Sequence, residues 1–167
     1  APIVGWNALD SLESMPENDA PILTNWFPTP TTCINRYGYT QFATGLIAQV
    51  ETVAAFAGLT STKLVAAAGG KIYDVTNGGA VGAPVQTGLT NDRWQYVNYS
   101  NTGGSYLYLV NGADAPRYWD GTTWTNAAIT GVTPANLIHI NLHKNRVWFV
   151  EKNSLNAWYL ATSAIAG

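Results

Sequence analysis

The tripeptide Thr44-Gly45-Leu46 returns as Thr87-Gly88-Leu89 and again as Thr130-Gly131-Val132, 43 residues apart each time. A fixed spacing of this length constrains the fold more than any composition does, because each copy must build the same supersecondary unit. Three apolar-rich segments follow each copy in the same order. The first is Gln49–Phe56, then Arg93–Tyr99, then Ile138–His143. The second is Lys63–Ala68, Tyr106–Asn111 and Arg146–Glu151, and the third is Lys71–Val75, Arg117–Asp120 and Ala157–Leu160. Tyr73-Asp74 and Trp119-Asp120 fall at the same place in successive units.

These segments read as strands. They are short, rich in β-branched and aromatic residues, and bounded by Gly, Asn, Asp, Pro and Thr. Ile138–His143 alternates apolar and polar throughout, the pattern of one half-buried strand. Gly69-Gly70, Asn77-Gly78-Gly79, Asn111-Gly112 and Asp120-Gly121 supply turns. Val81–Gln86 and Thr125–Ile129 are candidates for a fourth strand in the first two units. No stretch beyond residue 45 carries a helical period.

Units of about 40–45 residues with three or four antiparallel strands have the length of β-propeller blades. The fold class is therefore expected to be all-β, with β-propeller-like blades over 44–86, 87–129 and 130–167 and an extended N-terminal arm over 1–43. Three units do not close a propeller, which takes about 4–8 blades. An open fan leaves strand edges bare, so either the chain is part of a longer one or partners cover it.

The arm holds five of the eight prolines and carries Trp6, Trp26 and Phe27. Asp10-Ser11-Leu12-Glu13 is expected to start a helical turn capped by Asp10 or Ser11, with Pro16 limiting it. Large apolar side chains on an arm must pack against something, either the chain's own blades or a neighbouring subunit. Trp6, Trp26 and Phe27 are the candidate subunit-interface residues.

Charged residues make up 11% of the chain, less than half the usual share of about 25%. Much of the surface is thus expected to face other protein. The net charge of −2 argues against a grip on nucleic-acid phosphates. No apolar run approaches the ~20 residues of a membrane span, and Ala1–Trp6 does not read as a signal peptide. Cys33 is the only cysteine, so neither an internal disulfide nor a zinc cluster can be written.

Catalytic constellations are equally sparse. His139 and His143 have helical zinc spacing but lie on a strand, where four residues put them ~13 Å apart along one face. There is no Gly-x-Ser-x-Gly elbow, and the ten acids are scattered. A glycosidase pair would have to come from separate blades. The expectation is no enzyme, no cofactor and no metal. The local group Tyr118-Trp119-Asp120-Gly121-Thr122-Thr123-Trp124 admits two readings. Trp119, Asp120 and Trp124 could contact a glycan, which would make the chain a carbohydrate-binding propeller for a host surface. Alternatively, the two indoles form a cross-strand pair that stabilises a hairpin.

The motifs Gly5-Trp6-Asn7, Met15-Pro16-Glu17-Asn18-Asp19-Ala20 and Asn25-Trp26-Phe27-Pro28 resemble the start of a family of tailed-bacteriophage tail proteins. So do Ala68-Gly69-Gly70-Lys71-Ile72-Tyr73-Asp74-Val75, Arg93-Trp94-Gln95-Tyr96-Val97-Asn98 and Val110-Asn111-Gly112-Ala113-Asp114-Ala115-Pro116. Among such proteins the chain resembles the tail nozzles, or tail tubular proteins B, of short-tailed phages. This resemblance implies a virion structural protein with a β-propeller, assembled as a ring of six copies. An adaptor ring would lie above it and distal tail proteins below. Its channel would conduct the genome, with DNA in transit only and no membrane contact. Another head–tail connector ring sharing the same blades would look alike. The resemblance carries no catalytic residues.

Overall fold

The computed structural model describes all 167 residues, Ala1 to Gly167. The chain is all-β and has no α-helix. It divides into two units, Ala1–Thr40 and Gln41–Gly167.

The first unit is folded back on itself and is not uniformly extended. Strands β1 (Gly5–Trp6) and β2 (Asp19–Ala20) pair in parallel, and β3 (Trp26–Pro28) and β4 (Cys33–Asn35) form an antiparallel hairpin. No helix forms between β1 and β2. A single turn does form where expected, with the Ser14 N–H donating to the Ser11 carbonyl at 3.0 Å and the two serine hydroxyls 2.9 Å apart; just before it, Asn7 Oδ1 accepts from the N–H groups of Leu9 and Asp10, and its Nδ2 donates to Asp10 and Asp19. An Asn side chain serving nearby backbone favours a turn over a helix. The Thr29–Thr32 turn closes the hairpin, with Thr29 Oγ1 donating to the Thr32 carbonyl at 2.8 Å.

The second unit opens with β5 (Ala43–Thr44), followed by β6 (Val50–Ala57), β7 (Thr62–Ala68) and β8 (Ile72–Asp74), which form the three-stranded sheet I. Strand β9 (Gly79–Ala80) then pairs in parallel with β5. Sheet II has four strands in sequence order: β10 (Gln95–Asn101), β11 (Gly104–Val110), β12 (Arg117–Trp119) and β13 (Trp124–Asn126). A 3₁₀ turn at Pro134–Asn136 leads into sheet III, made of β14 (Leu137–His143), β15 (Arg146–Glu151) and β16 (Ala157–Tyr159). All three sheets are antiparallel meanders, and none closes on itself.

Two expectations are corrected locally. The fourth strand expected at Val81–Gln86 shrinks to one bridge, Ile72 with Gln86. Pro84 has no N–H to give, and Gly82 disfavours extended pairing. The strict alternation read over Ile138–His143 also fails at its start. A bulge between Leu137 and His139 leaves Ile138 unpaired and exposed, while Leu137 and Ile140 point inward.

The sheets stack face to face in chain order, with sheet II between the other two. Alternation along β11 serves both sides. Leu107 and Leu109 pack against sheet I, while Tyr106, Tyr108 and Val110 pack against sheet III. Burying both faces explains why β11 is apolar at nearly every position. The far side of sheet I is covered by the β5/β9 segment through Ala43, Leu46 and Val81. The landmark glycines Gly45, Gly88 and Gly131 all have positive φ (86°, 71° and 81°). One conformational demand, met cheaply only by glycine, thus recurs where each unit begins.

The register makes the three sheets comparable residue by residue. Ala66 lies opposite Tyr73, Leu107 lies opposite Trp119, and Val147 accepts from the N–H of Leu160. These pairs all turn back toward the preceding layer. One step along each middle strand reverses the side. Val65 and Ala67 therefore face sheet II, and Tyr106 and Tyr108 face sheet III. Arg146 and Trp148 hold the same places in sheet III.

Candidate interaction surfaces

The first unit builds almost no core. Ala20 is its single buried apolar side chain, whereas ten large apolar side chains between Val4 and Tyr39 are exposed. Trp6 is 69% exposed although its indole N–H donates to the Pro21 carbonyl at 3.0 Å. Trp26 and Phe27 sit side by side on β3, at 47% and 54% exposure, with Ile34 opposite Phe27 on β4. Trp26 also lines a hollow of about 360 Å³ with Ala1, Pro2, Ile22, Leu23 and Cys33. Trp6 stands on a different strand from the other two sequence-selected residues. Exposed apolar side chains this dense mark contact surfaces.

Trp119 and Trp124 are brought together as a directly opposed cross-strand pair, with ring centroids 5.6 Å apart. Trp119 is turned into the seam between sheets I and II and is 8% exposed. Lys63 lies 4.5 Å from its ring centre, and that lysine also bonds Asp74 at 2.8 Å. No open indole face is left at Trp119 for a sugar to stack on. The indole N–H groups of Trp94, Trp119 and Trp124 have no hydrogen-bond partner in the chain, so these rings act through packing.

Asp120 closes its own turn. Its Oδ1 accepts from the N–H groups of Thr122 and Thr123 at 2.7 Å each, and its Oδ2 accepts from Thr123 Oγ1. The Thr123 backbone bond leads the forces that hold its pKa below the ordinary carboxylate value. Asp74 does the same work one unit earlier, accepting from the N–H and hydroxyl of Thr76. Partial burial opposes its charge, but bonds from Lys63 and Thr76 outweigh that and lower its pKa. Asp114 joins two segments. It accepts from the Thr90 N–H and from Asn111 Nδ2 at 2.6 Å, and Asn111 Nδ2 also reaches the Asn91 carbonyl. Burial again works against the charge at Asp114, and the bonds again prevail. Asp74, Asp114 and Asp120 are thus spent on turns and ties. No three His, Cys, Asp or Glu side chains converge on one point.

The outer face of sheet III was not singled out by sequence reasoning. Finding it requires the register, because Arg146, Trp148 and Tyr159 carry no motif. The turn before β15 has positive φ at Lys144 and Asn145 (47° and 57°), which makes a tight hairpin and places Lys144 at its tip. Trp148 and Tyr159 are opposed across β15 and β16 with ring centroids 4.7 Å apart. The Arg146 guanidinium lies 5.0 Å from the Tyr159 ring centre, and its Nε donates to Thr162 at 3.1 Å. Together with His143 these residues line a shallow hollow of about 450 Å³. The nearby acid Glu151 is engaged elsewhere, accepting from the Trp158 indole at 3.0 Å, a bond that leads the lowering of its pKa. The chain's two ion pairs, Lys63–Asp74 and Arg93–Glu51, leave Lys144 and Arg146 unpaired.

No helix is long and apolar enough to cross a membrane. Comparison with family models, curated proteins and solved structures finds no match to this chain.

Proposed function

We propose that this chain is a non-enzymatic structural subunit of a phage tail. Its stacked sheets would form part of a β-propeller, and its copies a ring around a channel for the outgoing genome. A nozzle or another head–tail connector ring fits the reading equally. Within it, Trp6, Trp26 and Phe27 contact a neighbouring subunit, and the chain resides in the virion.

One observation carries the reading: the chain has sheets of repeated topology stacked in chain order, and a first unit that exposes ten large apolar side chains. Such a chain is better suited to an assembly than to solitary life in water. The resemblance of its motifs to tail proteins supplies the kind of assembly. The mildly acidic net charge suits a wall past which a polyanion slides without being held. The inward turn of Trp119 weighs against the alternative of a glycan-binding propeller.

Native mass measurement with electron microscopy of the purified chain tests the proposal. Ring-shaped oligomers, with no measurable DNA affinity at low salt, are expected. A strict monomer at high concentration, or tight salt-sensitive DNA binding, would refute it.

A further inference from the structure

We propose that Asn77, in the turn between β8 and β9, is a site of spontaneous covalent modification that loses its side-chain amide and becomes a mixture of aspartate and isoaspartate, whereas the fold locks the same dipeptide at Asn111-Gly112 against that reaction. The inference goes beyond the assembly reading and holds whatever the chain assembles with.

The reaction needs an asparagine whose side chain can be reached by the backbone nitrogen of the next residue. Asn77-Gly78 and Asn111-Gly112 are the chain's two Asn-Gly pairs. Glycine has no Cβ, so it leaves that nitrogen open to approach. At Asn77 the Gly78 nitrogen gives up its proton and bonds to Cγ. The Cγ–Nδ2 bond breaks, and the amide leaves as ammonia. Water then opens the cyclic imide at one of its two carbonyls. Opening at Cγ gives aspartate. Opening at the backbone carbonyl gives isoaspartate, whose main chain runs through Cβ and Cγ.

The structure separates the two pairs. Asn77 is exposed in its turn. The side-chain bonds of that turn belong to Asp74 and Thr76, and Asn77 takes part in none. One bond guards the attacking nitrogen, from the Gly78 N–H to the Val75 carbonyl at 3.0 Å. The fold itself requires glycine there, because φ is +66° and a Cβ would stand 2.8 Å from the Phe42 carbonyl oxygen. Asn111, by contrast, is 8% exposed. Its Oδ1 accepts from the N–H groups of Ala113 and Asp114, and its Nδ2 donates to the Asn91 carbonyl and to Asp114. Its Cγ cannot swing toward the Gly112 nitrogen without breaking these bonds, and the Gly112 N–H is held by the Leu137 carbonyl at 2.9 Å. Conversion at Asn77 has a structural consequence. The Gly79 N–H bond to the Phe42 carbonyl at 2.7 Å and the pairing of β5 with β9 both start at this turn. The β5/β9 segment covers Ala66 and Tyr73. An extra main-chain carbon, and a new negative charge in a turn that already holds Asp74, loosen that cover.

The test is a timed incubation of the full chain in mildly alkaline buffer, with peptide mass mapping that locates each deamidation by fragmentation. The folded chain is expected to convert Asn77 on the order of tenfold or more faster than Asn111, because a buried, bonded group reacts only when its surroundings open. Unfolding in guanidinium chloride is expected to bring the two rates together. Labelling by an isoaspartyl methyltransferase should rise in the ageing native chain and stay low in Asn77→Ser, which keeps a turn-forming residue. The aged native chain should also melt below the fresh one, while aged Asn77→Ser should not. An Asn77 that stays intact in the folded chain, or that converts there no faster than Asn111, would overturn the inference. Conversion of Asn77 with an unchanged melting temperature would overturn the loosening of the β5/β9 cover.

Discussion

The side-chain amide of Asn98, on the first strand of sheet II, donates to the carbonyl of Ala55 at 2.8 Å and accepts from the N–H of Ala57 at 3.0 Å on the first strand of sheet I. One side chain thus does for the bare edge of β6 what a neighbouring strand would do. Each bond adds roughly 0.5–1.5 kcal/mol, and the site is exposed, so Asn98→Ala should destabilise the fold by about 1–2 kcal/mol. Asn98→Asp keeps the acceptor but sets a negative charge against the Ala55 carbonyl, and should cost at least as much at pH 7. Urea denaturation of the two variants measures both.

Such ties were hidden in the sequence, where Asn98 sits inside an ordinary strand pattern. The strands themselves were legible because their turns are chemically marked and their order repeats. The middle strands of all three sheets lie where the apolar runs put them, and Tyr73-Asp74 and Trp119-Asp120 do hold equivalent places. Ile138 was misread because a bulge shifts one residue without any marker in composition. The short strands of the first unit escaped notice because two or three residues cannot display a period. The outer face of sheet III was invisible for a different reason. Arg146, Trp148 and Tyr159 carry no motif, and only the register puts them on one face.

Gly112 is a point of close approach. Its φ is +70°, and a Cβ there would stand 2.5 Å from Ile138 Cγ2. The Gly112 N–H donates to the Leu137 carbonyl, and its own carbonyl accepts from Lys152 Nζ, so the turn is tied to sheet III on both sides. Gly112→Ala should cost about 2–3 kcal/mol, about 1 of it from the left-handed backbone. The double variant Gly112→Ala/Ile138→Ala should recover the steric part and leave the backbone part. Thermal denaturation of the single and double variants separates the two.

Acid should act through three turn carboxylates. Asp74, Asp114 and Asp120 all have native pKa values lowered from an ordinary value of 3.8. A lowered native value means the unfolded chain takes up protons first. The stability these groups contribute is therefore fully present well above pH 3.8, and it is lost as pH falls through their native values. The melting temperature should stay level from pH 7 to about 5 and then drop. Asp114→Asn removes one of the three and should flatten the acid limb while lowering stability at pH 7. A calorimetric pH series of native and variant chains reads both effects.

Two tryptophans should part company when truncated. Trp119 is sealed between sheets I and II against Trp124 and Lys63. Trp119→Ala empties that space and should cost about 3–5 kcal/mol of folding stability, with any loss of assembly following from unfolding. Trp26 stands half-exposed on a two-stranded hairpin in a unit with almost no core. Trp26→Ala should leave the melting temperature of the Gln41–Gly167 unit within a degree or two while weakening association by about 2 kcal/mol. Denaturation followed by near-ultraviolet circular dichroism reports the first quantity, and sedimentation across a concentration series reports the second. Unchanged association of the Trp26 variant would remove that side chain from the contact, whatever becomes of Trp6 and Phe27.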